Sequence, residues 1–122
     1  MNSDFILLNK TYQTVDYINN MIINFPKKEM TIKTYIEKSL YEMIESLFSY
    51  NINDTKRIRE KYLKDYLVKL SMVNYLMHES LIKKCITYKQ SEAIGKILLE
   101  LKKISTKILK DLENENKLPN NS

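Results

Sequence analysis

Residues 54–85 read DTKRIREKYLKDYLVKLSMVNYLMHESLIKKC. Apolar side chains recur in this stretch at every third or fourth position, a spacing that places them on one face of an α-helix. They are Leu63, Tyr66, Leu67, Leu70, Val73, Met77, Leu81 and Cys85. The pattern predicts a helix over residues 54–85, and Asp54 is the expected N-cap because its short side chain accepts hydrogen bonds from free backbone donors.

Little else in the chain interrupts helical structure. The 122 residues include one glycine, Gly95, and two prolines, Pro26 and Pro119. Glycine and proline are the usual breakers of regular structure. Because Gly95 falls inside an amphipathic stretch, where glycine costs about 1 kcal/mol relative to alanine, we expect it to allow the close approach of another backbone, either within the bundle or between subunits.

Three further amphipathic stretches predict helices over residues 6–24, 30–49 and 88–112. The apolar face expected for the first consists of Leu8, Tyr12, Val15, Ile18, Ile22 and Phe25. That of the second consists of Ile32, Ile36, Leu40, Met43, Ile44 and Leu47. That of the last consists of Ile94, Ile97, Leu98, Leu101, Ile104, Ile108 and Leu112. Thr31 or a neighbour is the expected cap of the second. Thr87 and Gln90 have the spacing of a capping box, in which each side chain satisfies a free backbone donor of the other.

Four amphipathic helices with short connections fold most simply as an antiparallel up-down-up-down bundle. We therefore expect residues 1–112 to form one all-α four-helix bundle domain. Residues 113–122 lack periodicity and are expected to form a polar, flexible tail. No apolar run approaches the ~20 residues that span a bilayer, and the first residues carry no basic leader. With a single cysteine, these features favour a cytoplasmic protein.

The residues that support catalysis or metal binding are few. One glycine cannot build a glycine-rich phosphate loop. His78 and Cys85 provide two metal ligands, too few for a closed zinc site, and they lie about 10 Å apart along the helix. We therefore expect no enzyme activity, no metal and no cofactor, with Cys85 in the core and His78 partly exposed.

The positive charge is concentrated in the second half of the chain. The formal net charge is +5, but residues 53–110 carry fourteen basic and six acidic residues, a surplus of eight. The remaining residues carry six basic and nine acidic side chains. A shared basic surface on the third and fourth helices would attract phosphate backbones. The alternative is that these lysines are solvated and paired along each helix, as in Glu60–Lys64 and Glu92–Lys96.

The expected residues for binding nucleic acid or an acidic partner are Lys56, Arg57, Arg59, Lys61, Lys64, Lys83, Lys84, Lys96, Lys102, Lys103 and Lys107. Four tyrosines intermix with the basic positions, namely Tyr62, Tyr66, Tyr75 and Tyr88. Tyrosine stacks on unpaired bases but also packs at half-buried positions, and the helical spacing favours packing.

Several segments, taken in order, resemble one known family. They are Phe25-Pro26-Lys27, the basic third helix, residues 86–90 and Ala93-Ile94-Gly95-Lys96-Ile97-Leu98. Over about residues 8–112 the chain resembles the Avd-like four-helix bundle proteins, the accessory variability determinants of diversity-generating retroelements. A related branch comprises the four-helix proteins encoded by intervening sequences in 23S ribosomal RNA genes. Where the family often has arginines in the middle of helix 3, this chain has residues 73–78, including Asn74 and His78.

The resemblance implies a homopentameric barrel that binds a retroelement reverse transcriptase together with RNA or DNA. Such a protein supports cDNA synthesis and mutagenic retrohoming without being the polymerase. Two alternatives remain open. One is an intervening-sequence bundle protein without a reverse transcriptase partner, and the other is a protein–protein interaction module in which the lysines reflect composition alone.

Overall fold

Four long helices account for most of the computed structural model, which describes residues 2–117. They are α1 (Ser3–Ile22), α2 (Met30–Ile52), α3 (Lys56–Ile82) and α4 (Tyr88–Lys117), with a short 3₁₀ helix at Lys27–Glu29. The α1 helix packs against α2 and α4, and α3 packs against the same two helices. The chain is therefore an all-α, antiparallel up-down-up-down four-helix bundle, as the periodicity predicted.

The bundle core consists of the apolar stripes expected from sequence in α2, α3 and α4. In α2, for example, Ile36, Leu40 and Met43 are fully buried. None of the helices within residues 2–117 is both long and apolar enough to cross a membrane.

The core stripe of α1 is as predicted from Val15 to Ile22 but differs before Val15. Leu7 and Thr11 are buried, whereas Tyr12 is exposed and Leu8 is only partly buried. The reason is a hydrogen bond across the bundle. The Thr11 hydroxyl donates to the Leu7 carbonyl at 2.7 Å and lies 2.8 Å from the hydroxyl of the fully buried Tyr66. Since the single hydroxyl proton of Thr11 is engaged, Tyr66 is the donor to Thr11.

The α3 helix is shorter than predicted at both ends. Asp54 is not its cap: the N-cap is Thr55, which makes no side-chain cap hydrogen bond. At the other end the helix stops at Ile82 because Lys84 adopts a left-handed conformation with φ 63°. The Cys85 amide then donates to the Ser80 carbonyl at 2.8 Å. This Schellman closure usually uses glycine, so it could not be predicted from a lysine at this position.

The capping box at the start of α4 is confirmed. The Thr87 amide donates to the Gln90 side chain at 2.9 Å, and the Gln90 amide donates to the Thr87 hydroxyl at 3.0 Å. The α4 helix continues to Lys117, so residues 113–117 are helical and not part of a tail. The remainder of the predicted tail, residues 118–122, lies outside the described residues.

The buried Thr11–Tyr66 pair generates an asymmetric stability prediction. Tyr66→Phe removes the donor and leaves Thr11 bonded to Leu7, which should lower the free energy of unfolding by about 1 kcal/mol. Thr11→Val leaves a buried tyrosine hydroxyl without a partner and should cost about 1–3 kcal/mol. Urea unfolding of both variants and of the double variant measures the difference. A Thr11→Val cost no larger than that of Tyr66→Phe would contradict this assignment.

Candidate nucleic-acid interface

The outer face of α4 carries lysines at exact seven-residue intervals. Seven residues make almost two helical turns, so these side chains project from nearly the same side. Each of them is exposed. We call this set the lysine row, and its members are Lys89, Lys96, Lys103, Lys110 and Lys117.

The row is long and mostly free of acidic partners. Its 28-residue span corresponds to about 42 Å, with neighbouring lysines about 10.5 Å apart. Lys96 lies 3.8 Å from Glu92, and this is the only ion pair that a row member makes within residues 2–117. In the same part of the chain, the nearby Lys102 and Lys107 also make no ion pair. The α4 helix carries seven lysines and five acidic residues, so its exposed side is net positive and its lysines are mostly unpaired.

The basic residues at the start of α3 form a more neutralised surface. Lys56 pairs with Glu115 at 3.1 Å. Lys61 pairs with Asp65 at 3.4 Å, and Lys64 lies 4.0 Å from Glu60. These are exposed contacts worth at most about 1 kcal/mol each, so an anionic partner displaces them readily. Arg57 is also exposed, and helical spacing places it on the same outer side of α3 as Lys61 and Lys64.

Arg59 does not belong to the exposed basic surface. Its Nη2 lies 3.0 Å from Oδ2 of Asp4, and its guanidinium packs over the Tyr50 ring at 4.2 Å. The Tyr50 hydroxyl donates to Oδ1 of Asp4 at 2.9 Å. Burial, followed by the hydrogen bond to Asp4, raises the pKa of Tyr50 above its ordinary range. The cluster joins the ends of α1, α2 and α3, which gives Arg59 a structural role and leaves only 25% of its side chain exposed.

Lys83 and Lys84 lie at the opposite end of α3 from Lys56, about 40 Å away along the helix. Lys83 pairs with Glu29 at 3.6 Å, and the backbone of Lys84 ends the helix. The structure therefore does not bring these two residues together with the basic start of α3. Both belong to the turn between α3 and α4, at the same end of the bundle as Lys89.

A groove of about 320 Å³ runs between α3 and α4 beside the lysine row. Its lining includes Leu67, Asn74, Gly95, Leu99 and Lys102. No atom outside the surrounding backbone of α4 lies within 4 Å of the position that a Cβ atom at Gly95 would occupy. The expected close approach of another backbone to Gly95 is therefore not made within residues 2–117, and the glycine leaves an open notch.

The remaining chemically notable side chains are dispersed. Cys85 is partly buried against the core, where burial and then the charge of Glu29 raise the pKa of its thiol. His78 is exposed on α3. No group of three or more histidine, cysteine, aspartate or glutamate side chains within residues 2–117 is placed to hold a metal ion.

The tyrosines divide between packing and exposure. Tyr66 is fully buried and Tyr62 packs against the core, as the helical spacing favoured. Tyr75 and Tyr88 are exposed, however, with the Tyr75 hydroxyl donating to Glu79 at 2.9 Å. An acidic neighbour repels phosphate, so Tyr75 is poorly placed to stack on a nucleic-acid base.

Sequence reasoning missed Lys89, Lys110 and Lys117 as members of one surface. Counting charges along the chain found the basic region but not the face on which it lies. The seven-residue interval is the signal that identifies the row, since it requires no knowledge of tertiary structure.

Comparison with known proteins supports the fold. No protein-family model matches the sequence, and no curated protein matches it. A solved structure that is similar is that of a protein of unknown function from the S23 ribosomal protein family of Bacteroides thetaiotaomicron. The two share 16% sequence identity, with a TM-score of 0.82, over 89% of this chain and 99% of that one. The four-helix fold implied by the family resemblance is therefore confirmed.

The placement of Arg59 generates a paired prediction. Arg59→Gln removes an ion pair and a stacked cation, and should lower the free energy of unfolding by about 1–2 kcal/mol. Arg57→Gln removes the same charge from an exposed position and should change it by less than about 0.5 kcal/mol. Urea unfolding compares the two variants. Equal costs would contradict the structural role of Arg59.

Proposed function

We propose that this chain is a non-catalytic accessory protein that binds nucleic acid along the lysine row and holds it beside a partner protein. The observation that carries the proposal is the long, largely unpaired cationic face of α4. Lysines at this density neutralise phosphates and release counterions, which gives affinity without sequence preference. Lys102 and Lys107, which are exposed on the same helix and make no ion pair in the described part of the chain, add to this surface.

The partner that the family resemblance implies is the reverse transcriptase of a diversity-generating retroelement. In that role the chain holds the enzyme and its template RNA together and supports cDNA synthesis and mutagenic retrohoming. The alternative is a bundle protein of the 23S intervening-sequence type without a polymerase partner, and the S23-family fold suits both. A reverse transcriptase gene and a variable repeat beside the gene for this chain would favour the retroelement role over the intervening-sequence type.

We further propose that the chain assembles into a ring of identical copies, a pentamer by resemblance. Large apolar side chains remain exposed on the outer sides of α1 and α2, which a soluble monomer does not need. This aromatic face consists of Phe5, Tyr12, Tyr41, Phe48 and Ile52. A second exposed apolar set lies on the outer side of α3 and consists of Val68, Met72, Tyr75 and Ile82.

These two surfaces support a contact between unlike faces of neighbouring copies. Head-to-tail contacts generate rings when the rotation closes. Residues 53–110, which include α3, are net positive, and the rest of the chain, which includes α1 and α2, is net negative. A contact between α3 of one copy and the aromatic face of the next therefore joins opposite charges. The lysine row lies on α4 and stays outside this contact, so a ring repeats it in every copy and adds avidity for a long nucleic acid.

The nucleic-acid proposal predicts salt-dependent binding to a hairpin RNA that contains both a stem and a loop. Lys103→Gln/Lys110→Gln should lower the slope of log affinity against log salt by about 1–2, because about one phosphate contact is lost per lysine. Lys27→Gln/Lys28→Gln removes the same charge from the α1–α2 connection and is the matched control. Fluorescence anisotropy between ~50 and ~200 mM salt measures both. No binding, or equal losses in the two variants, would contradict the proposal.

The assembly proposal predicts that one substitution on the aromatic face yields monomers. Ile52 is 82% exposed, so Ile52→Lys should leave the fold intact while placing a charge in the contact between copies. Tyr35→Lys, at a half-exposed position on another side of α2, is the control and should keep the assembly. Sedimentation equilibrium gives the solution masses. A wild-type chain that has the mass of a monomer at tens of micromolar protein would contradict the proposal.

A further inference from the structure

The helix that carries the lysine row has no aromatic side chain of its own over most of the row's length. From Lys96 to Lys117 the sequence contains no phenylalanine, tyrosine or tryptophan. Proteins that bind unpaired strands rely on aromatic side chains on which successive bases stack, each worth about 1–3 kcal/mol. Over this span α4 offers no aromatic ring, so the bases of an unpaired strand cannot stack on the helix that carries the row.

The row is also held rigidly. It is carried by one uninterrupted helix, α4, whose inner side includes the buried Ile94, Leu101 and Ile108. The row extends about 42 Å, more than the ~34–36 Å of one turn of a DNA duplex. A double helix is stiff over such distances and presents its phosphates at fixed positions. A flexible single strand would lose conformational entropy on being aligned along the same row.

Lysine suits this task because the partner's phosphates need not match one exact geometry. Each ammonium group is a point charge on a flexible stem, without the planar fork with which arginine reads guanine or grips one phosphate. The row contains no arginine. Contacts of this kind position a protein on the nucleic-acid backbone and carry no sequence information.

We propose that the lysine row binds the paired phosphate backbones of a nucleic-acid double helix and discriminates against unpaired strands. This inference rests on the proposed nucleic-acid function and narrows it to one class of ligand. In an accessory protein, the row would hold a stem of the template or the duplex formed between template and product. The nucleotide sequence of the stem would be immaterial.

The test compares a 20-base-pair RNA duplex, a DNA duplex of the same sequence and a 20-nucleotide single strand of mixed, unstructured sequence. Anisotropy at ~100 mM salt should show both duplexes bound at least about tenfold more tightly than the single strand. Lys103→Gln/Lys110→Gln should remove most of this preference, whereas Lys27→Gln/Lys28→Gln should retain it. Thermal unfolding confirms that both variants are folded.

The outcomes separate this inference from the proposed function. A single strand that binds as tightly as the duplexes overturns the duplex inference and leaves nucleic-acid binding in place. Absence of binding to all three probes overturns both. A duplex preference that persists in Lys103→Gln/Lys110→Gln shows that another surface is responsible and overturns the assignment to α4.

Discussion

A single chain of hydrogen bonds crosses the bundle core, from the Tyr66 hydroxyl to Thr11 and from Thr11 to the Leu7 carbonyl. Apolar stripes alone tolerate small sliding of one helix along another, because dispersion and burial are not directional. A buried tyrosine hydroxyl needs its partner in one place. This pair therefore links the diagonal helices α1 and α3 in one register. The Arg59–Asp4–Tyr50 cluster adds a second polar constraint at the end of the bundle.

Much of the fold was predictable because apolar residues recur at every third or fourth position in each of the four helical stretches. The stripes of α2 and α4 and the capping box at Thr87 follow from local spacing alone. The predicted stripe of α1 was wrong at Thr11. A polar side chain is buried in a core only when it has a hydrogen-bond partner, and here that partner is distant in sequence. The predicted end of α3 was wrong because the helix ends before Lys84. Nothing in the sequence indicates that this lysine adopts a left-handed conformation.

The exposed basic surface was predictable in part and for similar reasons. Net charge along the chain identified α3 and α4, and both helices carry exposed lysines. The ion pair of Arg59 could not be predicted, because its partner Asp4 lies 55 residues away in sequence. Lys83 was likewise neutralised by Glu29 from a different part of the chain. Charge counts treat every lysine as equal, whereas tertiary ion pairs decide which of them remain available.

The seven-residue interval of the row does not equal two helical turns. An ideal α-helix falls about 20° short of two full turns in seven residues, so four intervals displace Lys117 from Lys89 by about 80° around the axis. The five ammonium groups therefore describe a shallow spiral and not a straight line. A partner lying parallel to α4 meets about three of them at once, and one that curves around the helix meets more. The shape of the partner, and not the number of lysines, sets how many charges are matched.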